Sequence, residues 1–471
     1  MHRLHTKNLC LKHPCAMVLI CVLTSVPAQA QTLTELWERV ATTEPTLLAA
    51  TAQARATAER KKQAFAQFLP QINVTANTTW NHREYQTTGA FPTFSNDWYN
   101  SHAAQLNITQ PLWKKANDVA HKQAIAATDQ AIQQLQATQQ DLLNKLISVW
   151  AEALYARDAL RAAHALEAAA TQQMVNFDRG FALGIYAVNQ RDEAKAKRQQ
   201  AVADRYAAES EMFARHAALE QLVGPLPALS VEYVNLEMQK IPFGTLRPLA
   251  NLTDSINDNN PAIKAAEKAL NVAQEEVRKQ QAQHGPTLDL VAGVGRNTQV
   301  GTGNTPGQSG YKSRLDTVAL QFNLPLYSGG AQSSKVREAI DLETKARYEL
   351  DAAKRNAINQ ASQAWAQLRS AQAKLEAAEK ALVAGQSSER VAVVGIKNGT
   401  KTPADELQAK QLIETAKRDA RRSYYDNVIA MAKLLTATGL IEEGTLDDIH
   451  QRLKTPSAFV QVPDMTFVPA E

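Results

Sequence analysis

The residues best placed for chemistry lie in the segment Lys401-Thr402-Pro403-Ala404-Asp405. A threonine at the N-cap, a proline at the first helical position and an acid at the third are typical of a helix start. The sequence therefore predicts that Asp405 caps the helix that begins at Pro403.

No enzyme signature accompanies this segment. The sequence contains no P-loop, no nucleophile elbow and no cluster of cysteine and histidine. The glycine-rich stretch 301–307 does not open a helix, so it predicts a flexible loop and not a phosphate-binding turn. We therefore expect no catalytic residue, no cofactor and no metal site, and we expect that the protein is not an enzyme.

Residues 1–30 have the features of a secretory signal peptide. Three basic residues and no acid precede an apolar core over residues 16–26, and Ala28-Gln29-Ala30 offers a cleavage site. All three cysteines lie within this segment, so we expect none in the mature chain. Removing the three basic residues lowers the formal net charge from +4 to +1, which gives no electrostatic basis for binding nucleic acid.

The mature sequence is an internal duplication. Matching landmarks recur at an offset of 214 to 216 residues: Glu44-Pro45 with Asn260-Pro261, Gln110-Pro111 with Leu324-Pro325, Trp150 with Trp365, and Gly180 and Gly184 with Gly395 and Gly399.

Each half predicts a helix, two strands, a long helix and a return helix. Repeat 1, residues 31–224, is predicted to contain helix 34–68, strands 71–85 and 101–112, long helix 116–179 and return helix 185–223. Repeat 2, residues 261–439, is predicted to contain helix 262–283, strands 287–299 and 315–327, long helix 331–394 and return helix 404–438. Residues 225–260 are interpreted as an equatorial linker and residues 440–471 as an equatorial segment and tail.

The four predicted strands alternate apolar residues with Asn, Gln and Thr, which suits a sheet with lipid on one side and water on the other. Each strand is long enough to supply the ~9–11 residues needed to cross a bilayer at a tilt. A half-buried soluble sheet is the alternative, but the signal peptide favours the membrane. Because lipid does not tolerate a sheet edge and four strands cannot close, we infer an oligomer.

The long helices must pack side by side. Residues 116–179 contain no Gly or Pro and would form a helix of ~96 Å at 1.5 Å per residue, which cannot stand alone. The landmarks at their far ends predict sharp turns into the return helices: Gly180, Gly184, Gly395, Gly399, Thr402 and Pro403. At their near ends, the residues predicted to form the boundary between strands and helices are Pro111, Pro325, Gly329 and Gly330.

A secreted chain with two copies of a strand pair and a long helical hairpin resembles the TolC family of outer-membrane channels. Residues that carry the resemblance include 68–71, 284–290, 324–330, 399–402 and 444–447. It implies an α+β membrane protein, a homotrimer whose twelve-stranded transmembrane β-barrel continues as a twelve-helix α-barrel tunnel across the periplasm. It also implies contact with outer-membrane lipid, a periplasmic adaptor protein and an inner-membrane pump of the ABC, RND or MFS type.

In that family, acidic residues near the helix tips ring the tunnel entrance. By this resemblance Asp405 falls on the first acidic position and Lys401 on a basic residue associated with the closed gate. The sequence leaves open whether Asp405 lines the pore or only caps a helix, and the two roles are compatible. The chain departs from the pattern at Gln408, where a second acid is expected, and at Gln190, which replaces the acid of the first repeat. A weaker carboxylate ring would hold its charge with less mutual repulsion.

The resemblance favours a passive exit duct for drugs, secreted proteins or both, with the tips 180–188 and 395–403 as the adaptor-docking surface. One alternative is a metal-efflux channel, although no Met or His cluster favours it. The other is a non-conducting exported coiled-coil scaffold, which would explain the helices but not four matched amphipathic strands.

Overall fold

The computed structural model describes residues 32–225, except 87, 89 and 93, together with residues 252–300 and 310–454. The predicted signal peptide, most of the predicted linker and the end of the tail lie outside the described residues.

The described elements form two similar series. In the first half they are α1 Leu33–Thr43, α2 Pro45–Ala66, β1 Gln71–Gln86, β2 Phe94–Lys114, α3 Lys115–Ala182 and α4 Val188–Val223. In the second half they are α5 Leu252–Asn259, α6 Pro261–Ala282, β3 Thr287–Gln299, β4 Tyr311–Asn323, α7 Ala331–Lys397, α8 Pro403–Thr438 and α9 Glu443–Lys454. The long helices have 68 and 67 residues, and the return helices have 36 each.

The strands form one antiparallel sheet in the order β1-β2-β3-β4, so β1 and β4 are its edges. Cross-strand partners such as Leu106 and Val294 lie on the same face, because successive side chains alternate between faces. That face is apolar through most of its height, and Val74, Leu320 and other apolar side chains on it are exposed. No described element covers this face within one chain.

The opposite face of the sheet is polar and closely packed. A Cβ at Gly293 would lie 3.1 Å from the Thr317 hydroxyl and 3.4 Å from the side-chain oxygen of Asn107. The Gln105 amide donates to that same Asn107 oxygen at 2.7 Å. The sheet therefore has one face suited to lipid and one suited to water.

The helices form a wall that is four helices wide. Near the sheet, neighbours pack in the order α2-α3-α6-α7, and toward the tips in the order α4-α3-α8-α7. The helices α3 and α7 therefore run the full length of the wall. Each of the other two lanes, or helix positions in the wall, holds a short helix near the sheet and a return helix toward the tips. One lane holds α2 and α4, and the other holds α6 and α8.

The end of α8 meets the start of α6 at a tight seam. Gly439, at φ +74°, ends α8, and an added Cβ would overlap the Asn259 carbonyl oxygen. The Asn260 side chain caps α6 by accepting from the N–H groups of Ala262 and Ile263, and it donates to the Ala437 carbonyl at 2.9 Å. One buried amide thus connects the two helices.

The main core lies midway along the wall, where the ends of α4 and α8 meet α1, α3 and α9. Leu33, Leu146, Ile147 and Tyr425 are fully buried there. The indole N–H of Trp37 donates to the Glu443 carboxylate at 2.9 Å, so α1 and α9 are also joined by a polar contact. Elsewhere the buried contacts between helices are mostly alanine, which permits close approach of the backbones.

Several predicted boundaries need correction. The helix predicted over 34–68 is interrupted at Glu44, because proline at position 45 disfavours helical backbone at the preceding residue. The strand predicted over 315–327 runs from Tyr311 to Asn323, since Asn323 pairs with Thr287, the first residue of β3. The strand predicted over 101–112 begins at Phe94, because β1 continues to Gln86 and pairs with it.

The predicted linker and tail also contain regular structure. The linker includes α5, which packs against α7 and α8, and the tail includes α9, which packs against α1. Across the described part of the chain, no helix combines the length and apolar character needed to cross a membrane.

Candidate functional site

The second helix tip is a tight turn between α7 and α8. Gly399 has φ +71°, a left-handed conformation that favours glycine. The N–H groups of Thr400 and Lys401 donate to the Gly395 carbonyl at 2.8 and 3.2 Å, which satisfies the end of α7. A Cβ at Gly395 would overlap the Lys401 side chain, so this glycine permits the lysine to fold back over the helix end.

The first tip repeats this geometry between α3 and α4. Gly184 has φ +73°, and the N–H groups of Ile185 and Tyr186 donate to the Gly180 carbonyl at 2.8 and 3.4 Å. The Tyr186 ring covers Gly180 and lies 4.5 Å from the Phe177 ring. Tyr186 thus takes the place that Lys401 occupies in the second tip.

The predicted roles of the four tip glycines divide into two kinds. Gly184 and Gly399 form the turns, as their positive φ values require. Gly180 and Gly395, predicted as turn residues, lie inside the last turns of α3 and α7 and are buried. They are needed because a side chain folds over them, and the repeat offset alone does not reveal this.

Asp405 closes a capping box at the start of α8. Its N–H donates to the Thr402 hydroxyl at 3.3 Å, and its carboxylate accepts from the Thr402 N–H at 2.8 Å and from the hydroxyl at 2.9 Å. The pKa of the Asp405 carboxyl is held below its ordinary value of 3.8, chiefly by the hydrogen bond from the Thr402 N–H and next by that from the Thr402 hydroxyl. The nearby charge of Lys401 lowers it further.

The lowered pKa of Asp405 determines how its contribution to stability depends on pH. A carboxyl whose pKa is lowered on folding stabilises the folded state above its unfolded pKa, and the contribution is lost as the pH falls through the lowered value. The Asp405 carboxylate is therefore charged and engaged at neutral pH, and the cap of α8 weakens only in strong acid.

Gln190 occupies the position of the first repeat that corresponds to Asp405. Its side-chain oxygen accepts from the N–H of Ala187, the N-cap of α4, at 3.1 Å. Alanine has no side-chain acceptor, so only half of a capping box forms. The amide thus performs the capping without the negative charge.

Lys401 and Gln408 are exposed at the second tip. The residue of the first repeat that corresponds to Gln408 is Glu193, which the sequence analysis did not select although the offset of 215 could have found it. Its carboxylate lies 2.8 Å from the Lys197 ammonium. That hydrogen bond, reinforced by the lysine charge, lowers the pKa of Glu193. The two tip acids with a lowered pKa, Asp405 and Glu193, thus lie at different levels of their return helices.

Both tips present apolar side chains to solvent. Leu183 is 75% exposed and Ile185 is 68% exposed at the first tip, while Val391 is 62% exposed and Val394 is 55% exposed near the second. No described element covers them. An exposed apolar end on a polar helical hairpin is typical of a surface that contacts another protein.

The two junctions between sheet and helices differ. β2 passes into α3 without an intervening residue, and a bulge between Pro111 and Trp113 places Trp113 opposite Leu288. Pro111 therefore does not end its strand, which continues to Lys114 as an antiparallel partner of β3.

In the second repeat, seven residues separate β4 from α7. Pro325 lies beyond the last paired residue, Asn323, so it follows the ladder and does not terminate it. Gly329 and Gly330 have φ +63° and +80° and make the bend directly before Ala331. The glycine pair therefore provides a bend that the first junction lacks.

A buried charge cluster that the sequence analysis missed joins α3 to α8. Asp158, only 5% exposed, accepts from the Tyr425 hydroxyl at 3.1 Å and lies 3.0 Å from the Arg421 guanidinium. Arg157 approaches the same carboxylate at 3.7 Å. The available signal was the spacing of this acid four residues after Leu154 and seven after Ala151, which places it on the buried face of α3.

The described residues include no group of three or more His, Cys, Asp and Glu side chains that could hold a metal ion. What the chain offers is a sheet with an exposed apolar face, continued for about 100 Å by paired helices that end in exposed tips. That combination defines the class of outer-membrane efflux channels.

The profile of the outer membrane efflux protein family matches residues 36–225 and 252–440, one match for each half of the chain. The chain belongs to this family, and it is an outer-membrane channel protein with a periplasmic extension, not an enzyme.

Similar proteins are found by sequence and by structure. The chain is 25% identical to Outer membrane protein TolC of Vibrio cholerae, across 90% of this chain and 94% of that one. It is 26% identical to Alkaline protease secretion protein AprF of Pseudomonas aeruginosa, across 74% and 72%. The crystal structure of the outer membrane protein VceC from Vibrio cholerae superimposes with a TM-score of 0.68 at 18% identity, covering 86% of this chain and 96% of that one.

Proposed function

We propose that three copies of this chain close a twelve-stranded barrel and a twelve-helix tunnel that together conduct cargo out of the periplasm. The observation that carries the proposal is the pair of open sheet edges, β1 and β4, on a sheet whose apolar face is exposed. An edge of unpaired N–H and C=O groups is not tolerated in lipid, so β4 of one copy must pair with β1 of the next.

The helical wall supports the same assembly. Its outer lanes, α4 on one side and α7 on the other, each have one uncovered flank in a single chain. Tyr206 and Phe213 on α4 are exposed and seven residues apart, so they lie on one side of the helix. Tyr348 and Val383 are exposed on α7. Joining the edge formed by α2 and α4 to the α7 of a neighbour would cover these side chains.

The test is to purify the protein in detergent, measure its mass and reconstitute it in a planar bilayer. We expect a stable trimer that conducts ions. A monomer that conducts would contradict the assembly, and a filament without conductance would support the coiled-coil scaffold in its place.

We further propose that the two tips dock a periplasmic adaptor that connects the channel to an inner-membrane pump of the ABC, RND or MFS type. The exposed apolar residues of both tips support this, and so does their distance from the sheet. The chain has no nucleotide-binding signature, so transport through it is passive and the pump selects the cargo. Two relatives are named for the secretion of proteases, which supports secreted proteins as cargo beside drugs.

Cysteine crosslinking tests the docking surface. Single cysteines at Ala182 and Asn398 in the tips, each in the mature chain without other cysteines, are expected to capture the adaptor in whole cells. Ser334→Cys is the matched control, because it is exposed on α7 at the end near the sheet. Equal capture from all three positions, or none from the tips, would contradict docking at the tips.

The entrance role of Asp405 is a separate proposal, in which three carboxylates, one from each chain, line the narrow end of the tunnel. Its support is the position of Asp405 at the tip and its engaged, charged state. Asp405→Ala is expected to lower cation selectivity in single-channel recordings, because it removes one negative charge per chain at the constriction.

Two further variants separate charge from capping. Asp405→Asn removes the charge but keeps an acceptor for the Thr402 N–H, whereas Thr402→Ala removes the hydroxyl of the cap and keeps the carboxylate. We expect Asp405→Asn to show the same lowered cation selectivity as Asp405→Ala. We expect Thr402→Ala to keep the cation selectivity of the wild type. Unchanged selectivity in both Asp405 variants would leave this residue with the capping role alone.

A further inference from the structure

The apolar face of the sheet carries a group of basic residues at the end remote from the helices. Arg296 on β3 and Arg314 on β4 are direct cross-strand partners, so both side chains leave the same face. The next pair toward that end is Thr298 with Lys312, and His102 on β2 is the other partner of Thr298. Like charges placed directly opposite one another destabilise a sheet. Arg296 and Arg314 therefore place two positive charges side by side on this face.

The positive charge of this group is incompletely neutralised by the protein. Asp316 lies 3.0 Å from the Arg314 guanidinium and is its one acidic contact among the described residues. In the same part of the chain, Arg296 and Lys312 form no ion pair. Both are exposed. Two guanidinium groups and one ammonium thus face outward against a single carboxylate.

An apolar groove begins directly beside the basic group, on the same face and toward the helices. It is lined by Leu106, Ile108, Ala292, Val294 and Val318, together with Asp316. Val294 pairs with Asp316, one step along the ladder from the Arg296–Arg314 pair. Successive pairs on one face are about 7 Å apart along the strands. The groove therefore lies about 7 Å from the basic side chains, a distance that one lipid headgroup can span.

We propose that this surface binds a phosphorylated, anionic membrane lipid, whose phosphate contacts Arg296, Arg314 and Lys312 and whose acyl chain lies in the groove. The planar guanidinium matches a phosphate with two parallel hydrogen bonds, and basic groups at a membrane surface attract anionic headgroups. The adjoining groove identifies a lipid as the source of the phosphate, because free phosphate would gain nothing from it. The inference rests on the proposed barrel, which places this face toward lipid.

The experiment is a titration of the detergent-purified full chain with diphosphoryl lipid A, followed by native mass spectrometry of the assembly. The double variant R296Q/R314Q is expected to bind this probe about 30-fold more weakly than the wild type, given the attraction contributed by each basic residue. The control K374Q/K380Q removes the same charge from exposed positions on α7 and is expected to bind as the wild type does. Equal affinity for all three proteins would overturn the proposal.

Two further arms identify what is recognised. Dephosphorylated lipid A is expected to bind the wild type and R296Q/R314Q equally weakly, whereas preference for it over the phosphorylated probe would overturn the phosphate contact. Inorganic phosphate at millimolar concentration is expected not to displace the lipid, and full displacement would assign the site to free phosphate. Trimer mass and bilayer conductance are measured on the same samples. A wild type that neither trimerises nor conducts refutes the proposed function, whereas a conducting trimer without variant-dependent lipid binding refutes this site alone.

Discussion

Changing Gly439 to alanine is expected to destabilise the protein by about 3 kcal/mol, more than any other single glycine substitution in the described chain. A left-handed backbone alone costs a non-glycine residue about 1–2 kcal/mol. The added Cβ would also overlap the Asn259 carbonyl oxygen and lie 2.8 Å from the Cα of Asn260. The neighbouring atoms are backbone, so they cannot move without opening the seam and stretching the hydrogen bond from Asn260 to Ala437.

The measurement is urea unfolding in detergent, followed by circular dichroism at 222 nm, which reports the helices. Gly184→Ala is the matched control, because Gly184 has φ +73° but nothing within 4 Å of the added Cβ. We expect it to lose about 1–2 kcal/mol, from the backbone conformation only. Equal losses for the two variants would show that the seam between α6 and α8 relaxes freely.

Asp158→Asn is expected to cost about 3 kcal/mol of stability. Removing one partner of a buried ion pair typically costs 3–5 kcal/mol, because the remaining charge stays desolvated and unpaired, and here Arg421 is partly exposed, which reduces the penalty. The variant retains the shape of the side chain, so lost charge and not lost packing dominates. Asp118→Asn on the same helix is the control, since its pair with Lys122 is exposed and is expected to be worth under about 0.5 kcal/mol.

The Tyr425 hydroxyl tests whether the cluster acts as a unit. Burial, and then the charge of Asp158, raises the pKa of Tyr425 well above its ordinary value of 10. A group with a raised pKa contributes stability below its unfolded pKa and loses it as the pH rises, so the wild type is expected to weaken in strong alkali and Tyr425→Phe to weaken less. In a double-mutant cycle at neutral pH, Asp158→Asn and Tyr425→Phe should cost less together than their sum. Strict additivity would show two independent contacts.

The order of elements could be predicted from the sequence because it depends on local signals that occur twice. Alternation in the strands, the absence of glycine and proline within 116–179 and the 215-residue offset were sufficient for this. The boundaries depended on partners elsewhere in the chain. Pro111 looks like the end of a strand, yet pairing with β3 carries the strand through a bulge to Lys114. Pro325 looks similar but has no partner, since β3 begins only at Thr287.

The same difference between local contacts and contacts with distant parts of the chain explains which candidate sites could be inferred from the sequence. The Thr402–Asp405 cap could be inferred because all its atoms belong to four consecutive residues. The contacts of Asp158 could not be inferred, because its partners Arg421 and Tyr425 are more than 260 residues away and become neighbours only when α8 packs on α3. The basic group on the sheet became visible only with the strand register, which sets Arg296 opposite Arg314.

The two helical hairpins are almost identical in length, with long helices of 68 and 67 residues and return helices of 36 each. One residue corresponds to about 1.5 Å of helix, so the two tips of a chain end at nearly the same level. In a ring of three chains, six such ends would form a flat rim. A complementary ring could then seal against it around the whole circumference, and a deletion of four residues from each helix of one hairpin would leave three gaps of about 6 Å.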